Sequence, residues 1–199
     1  MYTFSKRLLD IAISLTALLC LLPLFAVIAL AILVTDGRPI FYAQTRVGRF
    51  GRRFRFYKFR TMVRNADALL KDLACKNEAG GVIFKMRSDP RITWVGRWLR
   101  RFSIDEMPQL LHVLSGEMTL VGPRPPKVEE VAEYRVNDMA RLTVAQGLTC
   151  LWQVSGRSEL PFDRQVELDV EYVRKRGIWM DLTILARTIP AVLGGRGAY

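Results

Sequence analysis

Between Arg100 and Pro125 the chain reads RRFSIDEMPQLLHVLSGEMTLVGPRP. Two adjacent carboxylates, Asp105 and Glu106, follow an arginine pair. An apolar, helix-like run comes next, and then a turn carrying Gly122, Pro123, Arg124 and Pro125. Carboxylates beside fixed cations suit phosphate chemistry with a divalent metal. A carboxylate can also attack phosphorus itself, forming an acyl phosphate that splits one difficult transfer into two easier ones. Arg100 and Arg124 are suited to bidentate contacts with phosphate oxygens. The same positive field favours the ionised, nucleophilic form of Asp105. Mg²⁺ held by Asp105, Glu106 and phosphate oxygens would offset the repulsion between anionic nucleophile and anionic substrate.

The local pattern places both acids at the start of a helix. Ser103-Ile104-Asp105-Glu106 fits a capping box, with Ser at the cap and Glu three residues on. Pro108 instead suits the first turn of a helix that starts about there. Either way the acids have a plain structural reading, since carboxylates at a helix N-terminus answer its dipole. A functional reading adds the free N–H groups of that terminus as phosphate donors. The proline-flanked Arg124 reads as a stiff arm for its guanidinium, or as a rigid connector.

The chain opens with a 24-residue uncharged run, Ile11 to Val34. As a straight helix it would reach roughly 36 Å, enough to cross a bilayer. It is too long for a signal-peptide core, and no small-x-small cleavage site follows. Pro23, in its middle, removes a backbone donor and predicts a kink. Lys6 and Arg7 precede the run and a basic block follows it, as expected of a re-entrant helix that leaves by the face it entered. A tilted spanning helix with a short outer N-terminus fits the same residues. The expected division is a membrane segment over residues 1–36 and a catalytic domain over 37–199.

Nine of the 30 Lys and Arg residues lie between Arg38 and Arg64, a stretch without Asp or Glu, so most of the net charge of +11 is local. Such a block calls for an anionic partner nearby. Arg52-Arg53-Phe54-Arg55-Phe56 alternates cation and aromatic, the period of a strand with one wet face. Gly48 and Gly51 mark a reversal, so Ile40 to Phe59 reads as one or two strands. The cations could meet lipid head groups at about 1 kcal/mol each, or Lys58 and Arg60 could point at a substrate phosphate. A solvated charged face is the ordinary alternative. Single-stranded nucleic acid also favours interleaved aromatics, but a bilayer segment a few residues away argues against it.

Further helices are expected over Met62–Leu73, Ile92–Phe102, Lys127–Ala140, Phe162–Arg176 and about Ile178–Leu193. Asn77–Gly81 reads as a loop, and Val82–Met86 and Leu151–Val154 as short strands. The Ile92–Phe102 helix sets Trp94 and Trp98 against Arg97, Arg100 and Arg101, a pattern for the membrane interface plane or for packing on a core. Cys20, Cys75 and Cys150 are far apart and without CxxC spacing, so reduced thiols are expected. The single His112, among leucines and valines, reads as a packed histidine, and one His offers no His-based zinc cluster.

Taken together these segments resemble the monotopic polyprenyl-phosphate phosphoglycosyl transferases of the bacterial sugar transferase family. The likeness covers nearly the whole chain. It includes the proline-centred apolar segment, Lys58-Phe59-Arg60-Thr61-Met62, Ser103 to Leu110 and Val121-Gly122-Pro123-Arg124-Pro125. It continues through Gly147-Leu148-Thr149, Trp152 to Arg157, Asp169-Val170-Glu171-Tyr172 and Asp181-Leu182. Two departures stand out: Leu22 precedes the proline where members often have Ser, and Ala145-Gln146-Gly147 lacks a proline common before that glycine.

The resemblance implies an α/β fold of the α+β kind, helix-rich with a small sheet, anchored by a kinked, re-entrant N-terminal helix and interfacial amphipathic helices. It implies a sugar-1-phosphate transferred from a UDP-sugar to undecaprenyl phosphate with Mg²⁺, at the cytoplasmic face of the bacterial inner membrane. Asp105 would carry a covalent phosphosugar, UMP would leave, and Glu106 would assist with metal or acid–base work. Arg100 and Arg124 are implied phosphate contacts, with Lys58 and Asp169 as further carry-overs. The product would start a surface polysaccharide or glycoconjugate, and Trp152 to Arg157 resembles members of exopolysaccharide pathways that use glucose or galactose. Larger relatives add N-terminal membrane helices and a soluble domain, and this chain is expected to begin at the catalytic unit. Two rivals share the residues: a membrane-bound phosphohydrolase using the same Asp with water, and a basic membrane adaptor without catalysis.

Overall fold

Pro23 does not end the first helix. In the computed structural model, which describes residues 2–73, 77–78, 86 and 88–195, α1 runs from Tyr2 to Asp36 with Pro23 inside it. Among the described residues it is the one helix long and apolar enough to cross a membrane. One narrow stripe of it touches the rest of the protein. Asp10, Ser14, Ile28 and Ile32 are buried, and Leu18, Leu21 and Phe25 pack between them. These positions recur every three or four residues, the spacing of a single helix face. Leu8, Leu15, Leu19, Leu22, Leu30 and Val34 point away and are exposed.

Both ends of that stripe are fastened to the same body. Near the N-terminus, Arg7 donates to the carbonyls of Val113 (2.5 Å) and Leu114 (2.7 Å), while Lys6 pairs with Asp181 at 2.9 Å. The Asp10 carboxylate accepts from the Thr119 hydroxyl (2.5 Å) and the Leu120 N–H (3.2 Å). Near the C-terminus, Ile28 and Ile32 pack with Phe59, Val95 and Leu99. Burying each such aliphatic side chain contributes about 1.5–3 kcal/mol.

Strand β1 (Phe41–Val47) pairs antiparallel with β2 (Arg53–Phe59), in a register that sets Phe41 opposite Phe59 and Val47 opposite Arg53. The alternation read from the sequence holds. Phe54 and Phe56 are buried in the main core, Arg53 and Arg55 are exposed. Lys58 continues the inner face of the strand, because side chains two apart point the same way. A second small sheet pairs β3 (Met118–Val121) with β4 (Gln146–Thr149) in parallel. The fold is thus helix-rich with little sheet, as expected, and among the described residues that sheet is two separate strand pairs.

Helix α2 (Ala66–Leu73) starts four residues later than expected, because Met62 bridges to Ile92 instead. Helix α3 (Trp94–Arg101) is capped by Thr93, whose hydroxyl accepts from the Gly96 N–H at 3.0 Å. It buries Val95, Gly96 and Leu99 and leaves Trp94 and Trp98 exposed. A 3₁₀ turn, Ile104–Gln109, follows and leads into α4 (Leu110–Ser115). The chain then passes through α5 (Val128–Ala132), α6 (Phe162–Lys175) and α7 (Ile178–Gly194).

Three expectations are corrected. The capping box at Ser103 does not form: Ser103 is left-handed (φ 53°), makes no side-chain cap, and Glu106 is engaged elsewhere. Lys127–Ala140 is not one helix. After Ala132 the chain turns and re-forms as a 3₁₀ segment, Asp138–Thr143, whose Arg141 is drawn into the interior. Leu151–Val154 is no strand; Trp152–Val154 is a 3₁₀ turn, and the strand lies earlier, at Gln146–Thr149. Of the proposed strand Val82–Met86 and loop Asn77–Gly81, residues 79–85 lie outside the described residues, as does Cys75. Cys20 and Cys150 are free thiols, and His112 is buried as expected.

Candidate active site

The 3₁₀ turn Ile104–Gln109 carries Asp105 and Glu106, and β2, α3 and the loop after β3 close around it. The left-handed Ser103 reverses the chain between α3 and this turn, which folds the acids back beside Arg100.

The loop Gly122–Pro126 is pinned through its main chain. The Gly147 N–H donates to the Pro123 carbonyl (2.8 Å), the Gly122 N–H to Thr149 (3.0 Å), and the Val47 N–H to Pro126 (3.0 Å). Gly122 and Gly147 face each other so closely that a Cβ on Gly147 would run into the Gly122 backbone. Arg46, buried with its guanidinium over the Phe56 ring, donates from Nη1 to the Pro125 carbonyl at 3.0 Å. Arg124 therefore projects from a fixed base.

Arg124 grips Glu106 with both nitrogens, Nη1 to Oε2 at 3.0 Å and Nη2 to Oε1. Burial works against the Glu106 charge, but the Arg124 cation and its hydrogen bonds prevail and hold this carboxyl below its ordinary range. Asp105 differs. It is 5% exposed, and among the described residues its carboxylate takes part in no hydrogen bond or ion pair. Burial, then the neighbouring Glu106 charge, pushes its carboxyl up to about 6, against the pull of Lys58, Arg100 and Arg124. Two adjacent acids are thus held differently, one gripped and one uncommitted.

Lys58 reaches this site from the inner face of β2. Burial lowers its ammonium to about 8, and the Asp105 carboxylate is the main opposing influence. Arg100 donates from Nε to the Thr61 hydroxyl at 3.0 Å. Thr61 is held against α3 because its carbonyl sits where a Cβ on Gly96 would be. Asp105, Glu106, Lys58, Arg100 and Arg124 are thereby brought within electrostatic reach of one another.

Two predicted residues are engaged with partners inside the protein. Arg60 is buried and donates from Nη2 to the carbonyls of Asp36 and Gly37, both at 2.8 Å, closing the end of α1. Asp169 is fully buried against Arg141, with Nη2 to Oδ2 at 2.6 Å and Nε to Oδ2 at 2.9 Å. The residue-by-residue reading missed Arg46, Arg141 and Arg157. Arg46 shares a basic block with exposed arginines, so nothing local sets it apart. Arg157, in the Trp152–Arg157 motif, lies near enough for Glu106 to oppose the lowering of its pKa by burial.

No three His, Cys, Asp or Glu side chains converge among the described residues. Magnesium needs no such cage, since one or two carboxylates with substrate phosphates and water commonly hold it. The uncommitted Asp105, with Glu106 beside it, is a donor set that fits a magnesium ion arriving with a diphosphate.

The sequence matches the family described as bacterial sugar transferase over residues 1–195. It is 44% identical over 198 residues to the galactosyl transferase CpsE of Streptococcus agalactiae, covering 99% of this chain and 44% of that protein. It is 41% identical over 199 residues to the exopolysaccharide production protein ExoY of Sinorhizobium fredii, covering 98% and 88%. It is 43% identical over 200 residues to the undecaprenyl-phosphate galactose phosphotransferase of Salmonella typhimurium, covering 98% and 42%. The chain thus spans most of ExoY but less than half of the other two.

Proposed function

This chain belongs to the bacterial sugar transferase family, and from that premise we propose that it moves a sugar-1-phosphate from a UDP-sugar to undecaprenyl phosphate. One observation carries the reading: of two adjacent acids, Glu106 is gripped by Arg124 while the Asp105 carboxylate is left uncommitted. In the first step an Asp105 oxygen bonds to the phosphorus next to the sugar. The bridging P–O bond breaks, and UMP departs with the electron pair. In the second step a phosphate oxygen of the polyprenyl acceptor bonds to the same phosphorus, the aspartyl O–P bond breaks, and Asp105 is regenerated.

Lys58 and Arg100, beside Asp105, steady the charge on the attacked phosphoryl group. Arg124 fixes Glu106 so that its charge stays at one place. When bound, Mg²⁺ neutralises the diphosphate. Relatives named for galactosyl and galactose-phosphate transfer support a hexose as the sugar, and one named for exopolysaccharide production supports a product for surface polysaccharide assembly.

In this reading α1 lies in the bilayer of the bacterial inner membrane and leaves by the face it entered, with the active site at the cytoplasmic surface. Contacts at both ends of the helix with one body support this, since a helix with ends on opposite sides could not hold both. Basic residues of the hairpin, such as the exposed Arg53 and Arg55, suit anionic head groups.

The test is intact-mass spectrometry of detergent-solubilised protein, quenched during turnover with UDP-hexoses and Mg²⁺. A hexose-phosphate adduct is expected on the wild type and none on Asp105→Asn. UMP release without any adduct would refute the covalent route. No UMP from any UDP-sugar would refute the transferase.

A further inference from the structure

Among the described residues β2 has a strand partner, β1, on one edge only, and N–H groups on its other edge must be answered from elsewhere. The Tyr57 N–H is answered by a side chain: it donates to Nε2 of the buried His112 at 3.3 Å. The imidazole lies parallel to the Tyr57 ring, with 5.5 Å between centroids, and meets the Phe54 ring edge-on at the same distance. A backbone N–H can only donate, so Nε2 has to be bare. The one proton of the neutral ring then sits on Nδ1, which donates to Glu117 Oε2 at 2.7 Å. The hydrogen-bond network thus assigns the tautomer. Gly116, left-handed at φ 85°, ends α4 and turns the chain so that Glu117 reaches back to the ring.

This contact joins two pieces of the site. His112 belongs to α4, which continues directly from the turn Ile104–Gln109 that carries Asp105 and Glu106. Tyr57 belongs to β2, one residue before Lys58, and β2 packs against that same turn. Phe54 and Phe56 need only an apolar neighbour at this place, and a leucine would supply one. A polar ring held by a carboxylate in one tautomer does something further, because it fastens strand to helix through a single acceptor atom.

We propose that His112 is a positioning residue: it fixes β2, and with it Lys58, against the turn that bears the two acids. This rests on the transferase reading given above. Glu117 keeps the ring in its accepting tautomer, so the pair acts on the reaction without touching substrate.

His112 is the one histidine of the chain, so ¹⁵N-histidine NMR of the detergent-solubilised full chain reads this ring alone. Wild type at the pH of the assay should show Nδ1 protonated and Nε2 bare. A proton on Nε2, in the other tautomer or in the cation, would overturn the assignment. The kinetics of UMP release separate positioning from packing. His112→Gln puts an amide oxygen where Nε2 stood, whereas His112→Leu keeps only apolar bulk. Leu should lose about ten- to a hundredfold in kcat/KM, mainly in kcat, the scale of a small displacement at a reacting centre. Gln should recover most of that loss. A ring that merely filled space would give the reverse order, and that order, or equal activity of the two variants, would overturn the proposal. Glu117→Ala, at an exposed position, stands in should the Leu variant not fold. It should move part of the proton onto Nε2 and lower kcat with it, and an unchanged spectrum and rate would count as refutation. Failure of the transferase reading shows separately, as a wild type that releases no UMP from any UDP-sugar while its histidine spectrum is as expected.

Discussion

Replacing Asp105 by Asn should make the protein more stable and inactive. Asp105 is 5% exposed, and burial followed by Glu106 raises its carboxyl from 3.8 to about 6. A carboxyl whose pKa is higher in the folded state binds its proton more tightly there. The stability it contributes is present in full below about pH 4 and is lost as pH rises through about 6. Roughly two pKa units correspond to about 3 kcal/mol, so wild type should carry a penalty of up to that size at pH 7.5. The Asn side chain keeps the shape and removes the charge. In a chain of 199 residues the gain in Tm should be on the order of 6–12 °C. The gain should fade to nothing near pH 4, where wild type is itself protonated. Thermal unfolding of both proteins in one detergent, from pH 4 to pH 8, reads this directly, with UMP release assayed in parallel. An Asn variant that melts no higher than wild type at pH 7.5, or whose advantage does not shrink in acid, would refute the claim that this carboxylate is held ionised at a cost.

Other perturbations follow from the same site. The pH dependence of kcat/KM should be bell-shaped, with an acid limb near 6 from Asp105 and a basic limb near 8 from Lys58; Lys58→Arg should move the basic limb upward, and a limb that stays put would exclude Lys58. Arg124→Lys exchanges a two-toothed grip on Glu106 for a point charge. Losing one charge-assisted hydrogen bond should lower kcat/KM about ten- to a hundredfold, and unaltered kinetics would count against the pair. Asp10→Ala leaves the Leu120 N–H and the Thr119 hydroxyl without their acceptor. It should cost about 1–3 kcal/mol of stability in detergent, and an unshifted melting curve would show that this anchor contributes nothing.

Period-two alternation told where the hairpin runs and which of its faces is wet, because Phe54 and Phe56 repeat at the spacing a pleat imposes. The acids, Arg100 and Arg124 were legible for the same reason: adjacent charges are costly unless something answers them. What Glu106 answers was not legible. Its partner Arg124 lies 18 residues on, and a local capping rule competed with that distant pairing and lost. Arg60 read as a substrate contact from its place in the basic block, and Asp169 only through the family resemblance. The fold instead buries each of them against an internal partner, Arg60 on the carbonyls of Asp36 and Gly37 and Asp169 on Arg141. The segment 127–143 breaks its helical pattern to deliver Arg141 to Asp169, a long-range demand that local periodicity does not carry. Asp181, noted only as part of a motif, receives Lys6 and Tyr2 from the far end of the chain and lies 2.8 Å from the Tyr172 hydroxyl.

The first helix is both the greasy part of this protein and one of its structural walls. Shearing off residues 1–36 to obtain a water-soluble enzyme would bare Phe59, Val95 and Leu99, take one of its two carbonyls from the Arg60 guanidinium and strip Asp181 of its cation. Solubility and integrity are set against each other in this chain, and a preparation freed of its lipid-loving arm would be a damaged one.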